Sequence, residues 1–370
     1  MRRISGAVLI GIGVFGVVLA VLLPTVVVHG SKRIPLNLNI TLHSTDPAAK
    51  MLDATTGSVR TVALRATRFV QTDSKASNGT DTTVNETVCV VIVQGPTPDC
   101  FAGQRPQDAN RDPRLVSTTT DRVTTNRRNA QSVAPQASWG PELINGQTTM
   151  NNVAVKHVGV AYAFPIDTKK TTYKFFQPDL NAAYDATYVG SSKLKGLTVY
   201  EFVCKTGDQP YTINGTFAGT YNDTRTVWVE PKTGAIIKGS EHQIQTLQGG
   251  TVALDSTLTF DDAAQNYQAH FAKTKIAALQ LAQVWGPLIC AILGIAALVG
   301  GAFLLKQRRG PAESDDDTDE RPDATVPPGA VPPGTETPPV PVTTQAGDRH
   351  RLPYREGSPR EAGTTGPTRR

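Results

Sequence analysis

Two long apolar runs frame the chain, and the pattern between them alternates. Ile4 to Val28 reads ISGAVLIGIGVFGVVLAVLLPTVVV and Leu281 to Leu305 reads LAQVWGPLICAILGIAALVGGAFLL, neither with a charge. A bilayer core takes ~20 apolar helical residues to cross, so each run predicts a transmembrane helix. The first run exceeds the ~7–15 apolar residues of a cleaved leader, and Val28-His29-Gly30 is a poor cleavage site. It therefore reads as an uncleaved signal anchor.

Between the runs the period is two. Val59–Gln71 (VRTVALRATRFVQ) and Val84–Gln94 (VNETVCVVIVQ) are rich in β-branched residues and flank the turn-forming TDSKASNGTDTT, which predicts an antiparallel hairpin. Further strands are expected at Tyr173–Phe176, Ala186–Val189, Gly196–Cys204, Gly215–Tyr221 and Val252–Phe260, with Gly190 and Gly196 bracketing a tight connection. Residues 95–150 read as loop-rich, with Asp121–Val133 either a short helix or a turn. From Asp261 to Gln283 the period changes. Ala263, Tyr267, His270, Phe271 and Thr274 recur three or four apart, as on a helix that starts at Asp261 and Asp262 and runs into the second apolar segment.

Glu230-Pro231-Lys232-Thr233-Gly234 admits two readings, a wall-sorting signal or a turn. A sorting signal directly precedes an apolar span and a basic tail, and Gly234 lies far upstream of Leu281. Val227 and Val229 share one face, with Trp228 on the other, and an extended pattern resumes at Ala235. Pro231 suits the first corner of a turn and Gly234 a left-handed return, so the motif reads as a hairpin.

These elements predict an α+β chain: a predominantly antiparallel β ectodomain between two transmembrane helices, then a disordered tail. The expected domains are 1–29, the N-terminal span; 30–275, the extracellular β-rich domain; 276–306, a helix continuing into the second span; and 307–370, the tail. The tail opens with ESDDDTDE and continues VPPGAVPPGTETPPVPV, a composition that buries no core.

Composition and charge narrow the function. The net charge is +5 over 370 residues, with no basic run or nucleic-acid-binding motif, so no nucleic acid is expected as a partner. Arg2 and Arg3 precede the first span, nearly balanced by Lys32 and Arg33 after it, whereas Lys306, Arg308 and Arg309 abut the second. Cations near a span end favour the cytoplasmic side. The expected localisation is thus the cell membrane, crossed twice, with both termini cytoplasmic and residues 30–280 outside. In that compartment Cys89 and Cys100, at the ends of CVVIVQGPTPDC, read as a local disulfide, the alternative being two free thiols. Cys204 reads as a buried free thiol and Cys290 lies inside a span.

No constellation for catalysis, metal binding or a cofactor is found, and none is expected: the histidines are scattered, with no HExxH, GxSxG or phosphate-binding glycine loop. Small residues four apart in the spans (Ala7 with Gly11, Gly16 with Ala20, Ala296 with Gly300, Ala297 with Gly301) suit close helix packing, either between the two spans or in a homo-oligomer.

Several stretches carry a resemblance: DRVTTNRRNA, HVGVAYAFPIDTKKTTYKFFQPD, ATYVGSSKLKGLTVYEF, TVWVEPKTGAIIKGSEHQ and the closing helix and span. Together they resemble the actinobacterial porin PorA family over most of residues 4–306. The resemblance implies a cell-envelope protein that forms a channel or serves transport, and it carries over no catalytic residue. The layout of two spans around one large β ectodomain is also similar to that of class B scavenger receptors, which pass lipid through an ectodomain tunnel. That likeness keeps open a non-enzymatic ectodomain that binds or passes an envelope lipid, binds wall glycan, or scaffolds other envelope proteins.

Overall fold

The computed structural model describes residues 2–306 except 54, 96–113, 134–138, 145–146 and 214–215. The strands are β1 (Asn39–Leu52), β2 (Val59–Asp73), β3 (Asp81–Ile92), β4 (Leu115–Asn126), β5 (Trp139–Ile144), β6 (Gln147–Ala154), β7 (Tyr173–Gln177), β8 (Ala182–Leu194), β9 (Leu197–Lys205), β10 (Gln209–Ile213), β11 (Phe217–Glu230), β12 (Ala235–Leu247) and β13 (Val252–Phe260). They form one sheet in the order β6-β5-β4-β3-β2-β1-β13-β12-β11-β9-β8-β7, with β10 also on β11. Every pair of neighbouring strands is antiparallel.

The sheet curls until its ends approach. Thr125 on β4 bridges to Ser132, and Val160 bridges in parallel to Phe175 on β7. Between those bridges the Ser132 N–H donates to the Gly159 carbonyl at 2.8 Å. At the other end β6 lies beside β10. The curled sheet therefore has an inner and an outer face.

Packing follows the alternation of each strand. Val160, Phe164, Phe175, Phe202, Val227 and Val229 form one core, in which Phe164 stacks on Phe202 with centroids 4.8 Å apart. Each such buried side chain contributes ~1.5–3 kcal/mol. Ala49, Leu64, Ala66, Val90 and Ile92 form a second core. Phe175 and Phe176 are both buried, because β7 is covered on both faces; the Phe176 ring lies 4.2 Å from that of His157.

Several stretches differ from the sequence expectation, among them β5 and β6, which begin inside the run read as loop-rich. Asp121–Asn126 belongs to β4, and the turn begins only at Arg127. The polar TTTDRVTTN pairs along β3 from Thr118 to Asn126, so the partner strand overrides its turn-like composition. β1 gave no strand signal because it contains Pro47 and Asp46. The ladder with β2 is irregular between Asp46 and Ala49, and a bulge is where a strand tolerates proline. The turn after β8 is Lys195-Gly196, with φ of 49° and 79°, whereas Gly190 sits inside β8 at another irregularity.

The apolar runs are helical. α1 (Arg2–Leu22) passes through a π turn at Leu23–Val27 into α2 (Val28–Ser31). α3 (Asp262–Gln280) passes through a π turn at Leu281–Trp285 into α4 (Gly286–Lys306). Each π turn accompanies a proline, Pro24 or Pro287, whose missing N–H and ring prevent regular α bonding. Asp261 caps α3, its Oδ1 accepting from the Ala264 N–H at 2.7 Å. Ala269 and Ala272 of α3 dock on Leu197, Val199 and Ile237 of the sheet.

α1 and α4 pair through glycines. A Cβ at Gly13 would meet the Gly294 carbonyl oxygen at 2.8 Å, and one at Gly301 would meet that of Gly6 at 2.9 Å. Gly16 lies against Gly294 as well. The seam thus repeats every seven residues, Gly6 to Gly13 and Gly294 to Gly301, as in near-aligned helix pairs. Of the spacings expected from sequence, Gly16 and Gly301 lie on it, while Gly11 and Gly300 face open space.

Candidate functional site

The inner face encloses a cavity of about 1140 Å³. Its wall follows from strand alternation: Ala66, Arg68 and Val70 on β2; Val84, Glu86, Val88, Val90 and Ile92 on β3; Leu254 and Leu258 on β13. On β1 the lining extends from Ile40 to Leu52, a run of ~40 Å at the strand rise. Toward one end lie Met51, Ile92, Val116 and Leu254, together with Asp53 and Arg60; toward the other lie Ile40, Leu42, Val227 and Phe260. Small-molecule sites of ~300–1,000 Å³ are typically apolar with a few placed polar groups, and this cavity lies just above that range.

Charged side chains form a belt between the apolar ends. Sheet register sets it: Glu86 stands opposite Asp121 and Arg225 opposite Glu241. Arg68 pairs with Glu86. Arg225 Nη2 meets Glu241 Oε1 at 2.6 Å, and Arg225 Nε lies 3.9 Å from Asp223 Oδ2. Gln177 Nε2 donates to Asp223 Oδ2 at 2.6 Å. Tyr162 Oη donates to Asp121 Oδ2 at 2.6 Å, and His157 Nε2 lies 2.9 Å from Asp121 Oδ1.

Burial governs the titration of the belt. It pushes Asp179 up to about 6, with repulsion from Glu241 adding to the shift. Burial, followed by Glu241, pushes Asp223 up to about 8. Glu86 is raised by burial, against the pull of Arg68. Burial also raises Glu241, but Arg225 and Arg68 outweigh it and the net direction is down. Desolvation is thus the leading influence on each acid, and Arg225 holds Glu241 in the charged form. Arg68 and Arg225 influence acids on both sides of the cavity, so the belt acts as one electrostatic unit. It can satisfy a polar head while the ends take apolar chains. Among the described residues no cluster of three potential metal ligands occurs.

The residues singled out by sequence are placed as follows. Cys89 is buried on β3, and Cys100 lies outside the described residues. Cys204 is buried and free. Pro231 and Gly234 lie in the β11–β12 hairpin; Gly234 has φ of 71°, and a Cβ there would run into the Phe164 carbonyl oxygen. Arg2 and Arg3 fall in the first turn of α1 and Lys306 ends α4. Gly6 packs near Leu305, so these three cations share one end of the helix pair. Arg308, Arg309 and the acidic and Pro-rich tail lie outside the described residues. The charged belt leaves a trace in the sequence: Arg68 interrupts the inward series Leu64, Ala66, Val70, and Glu86 interrupts Val84, Val88, Val90.

Comparison with known proteins matches the chain to the family described as Porin PorA over residues 5–303. A relative named Porin PorA from Corynebacterium resistens is 26% identical over 225 residues, covering 55% of this chain and 52% of its own length. The chain thus spans about half the length of that relative. Two helices are long and apolar enough to cross a membrane, and a lipid bilayer is where this protein resides. From its match over most of the folded residues, the chain belongs to the porin PorA family.

Proposed function

We propose that this membrane protein uses its ectodomain to hold and pass a lipid-class amphiphile. The observation that carries the reading is the cavity inside the curled sheet, about 1140 Å³, with apolar side chains toward both ends and a charged belt between them. Chains would lie against the apolar ends and a polar head at the belt. Both termini are cytoplasmic in this reading and residues 30–280 outside, the common end of Arg2, Arg3 and Lys306 being retained inside. A Cys89–Cys100 disulfide would then form in an oxidising compartment. The role is non-enzymatic, since the belt holds acids and arginines in mutual pairs.

The test compares lipid extracted from the full-length protein with lipid from an Ala66→Phe/Val90→Phe variant, whose new rings obstruct the cavity at one level. Lipid at about one molecule per wild-type chain, lost from the folded variant, supports the reading. Equal lipid on both overturns it.

A second reading, a channel, is favoured by the family description. The glycine seam brings the α1 and α4 backbones together, so a conducting path would need a further assembly of chains. Purified protein would then raise the conductance of a planar bilayer, and silence across detergents and protein loads would count against it.

A further inference from the structure

We propose that the rim of the ectodomain next to the spans binds the phosphodiester headgroups of anionic phospholipids in the adjoining leaflet. Two separate features of the rim meet at the membrane surface.

The first is an arginine pair without an acidic partner. Arg33 Nη1 donates to the Gly79 carbonyl at 2.7 Å, and Arg127 Nη1 donates to the same oxygen at 3.1 Å. Arg127 Nε also donates to the Ile34 carbonyl at 2.7 Å. Neither guanidinium has an ion pair among the described residues. Burial and the neighbouring Arg33 both push the Arg127 pKa downward, as expected of two cations sharing one neutral acceptor. A phosphate supplies the missing charge, and guanidinium groups suit its geometry. Arg33 follows α2 by two residues, so the pair sits where the chain leaves the first span.

The second is a cleft of about 240 Å³ between the ectodomain and the helix that enters the second span. Lys32 at the end of α2, with Asp167 and Lys232 in ectodomain turns, forms one side; Ile276, Leu279, Gln280 and Gln283 form its helix side. Lys32 is paired with Asp167 at 2.8 Å. Lys232 is exposed and has no ion pair among the described residues. Trp285, 58% exposed, lies two residues beyond Gln283, and such tryptophans settle at headgroup level. The cleft therefore offers a cation and amide donors at the headgroup and two apolar side chains along the upper acyl segment.

The occupant is a lipid of the same bilayer because the spans hold both features against it. The proposal does not depend on what the sheet cavity carries.

The full-length protein is placed in nanodiscs of equal phosphatidylcholine and phosphatidylglycerol, and the lipids retained on release are counted by native mass spectrometry. Wild type should retain phosphatidylglycerol with an enrichment on the order of tenfold, falling as salt rises. Arg33→Gln/Arg127→Gln/Lys232→Gln should bring the ratio to about one in a chain that still unfolds cooperatively, and Lys232→Gln alone, which breaks no hydrogen bond within the protein, should lower it part of the way. Ala66→Phe/Val90→Phe should keep the enrichment, which separates the rim from the cavity. An unchanged ratio in the triple variant overturns the proposal, as does an enrichment that inorganic phosphate in the buffer abolishes at constant ionic strength.

Discussion

The two halves of this molecule treat space in opposite ways. Between α1 and α4, glycine lies on glycine and a single added Cβ has nowhere to go. Inside the sheet, strands that also alternate regularly leave about 1140 Å³ unfilled. Lipid tails are as apolar as the spans, so close backbone contact is what holds the helices together. The sheet core excludes water from its outer layers and retains charge at its centre. Under the proposed function, the spans anchor the protein and the ectodomain carries the cargo.

The comparison breaks first at the belt. Arg225→Met leaves Glu241 and Asp223 without their cation, and losing one partner of a buried pair costs ~3–5 kcal/mol. A thermal melt of the full-length protein should show the loss, largely restored in Arg225→Met/Glu241→Leu. At the seam, Gly294→Leu drives a side chain into the Gly13 carbonyl and the Val17 amide. It should destabilise the helix pair by ~1–3 kcal/mol, while Gly300→Leu, facing open space, leaves the melt unchanged.

A pH titration sharpens the account of the belt. The Asp223 pKa is about 8 folded against an ordinary 3.8, and that of Asp179 is about 6. Between those values the folded chain keeps protons that the unfolded chain releases, so their contribution to stability falls as pH rises from about 4 to about 8. Melting temperatures across that window should decline less steeply in Asp223→Asn. The smallest effect is at the junction of the halves: Asp261→Ala removes the α3 cap and should cost ~1 kcal/mol, read in the same melts.

Much of this was legible in the sequence. Uncharged runs announced the spans, and β-branched alternation gave β2, β3 and β13. The Pro231–Gly234 turn was readable because its neighbours alternate cleanly. β1 and β4 were not, because Pro47 at a bulge and a threonine-rich polar run resemble turns until a partner strand supplies their hydrogen bonds. The seam was half visible: four-residue spacing named Gly16 and Gly301, but the seven-residue register that chooses between glycines is a property of two helices together. The cavity was hinted at only by the two-span layout, since its volume depends on how far the sheet curls. The charges at inward positions, Arg68 and Glu86, were its trace.

The central claim, that cargo lies in the sheet and not between the spans, is tested most directly by photocrosslinking. Membranes holding the full-length protein are loaded with a phospholipid bearing a diazirine on its acyl chain, irradiated and digested, and the adducts are mapped by mass spectrometry. The account predicts adducts on the inward residues Met51, Val90 and Leu254, lost in Ala66→Phe/Val90→Phe. Adducts confined to α1 and α4, with the inward faces of the sheet unlabelled at saturating lipid, would contradict it.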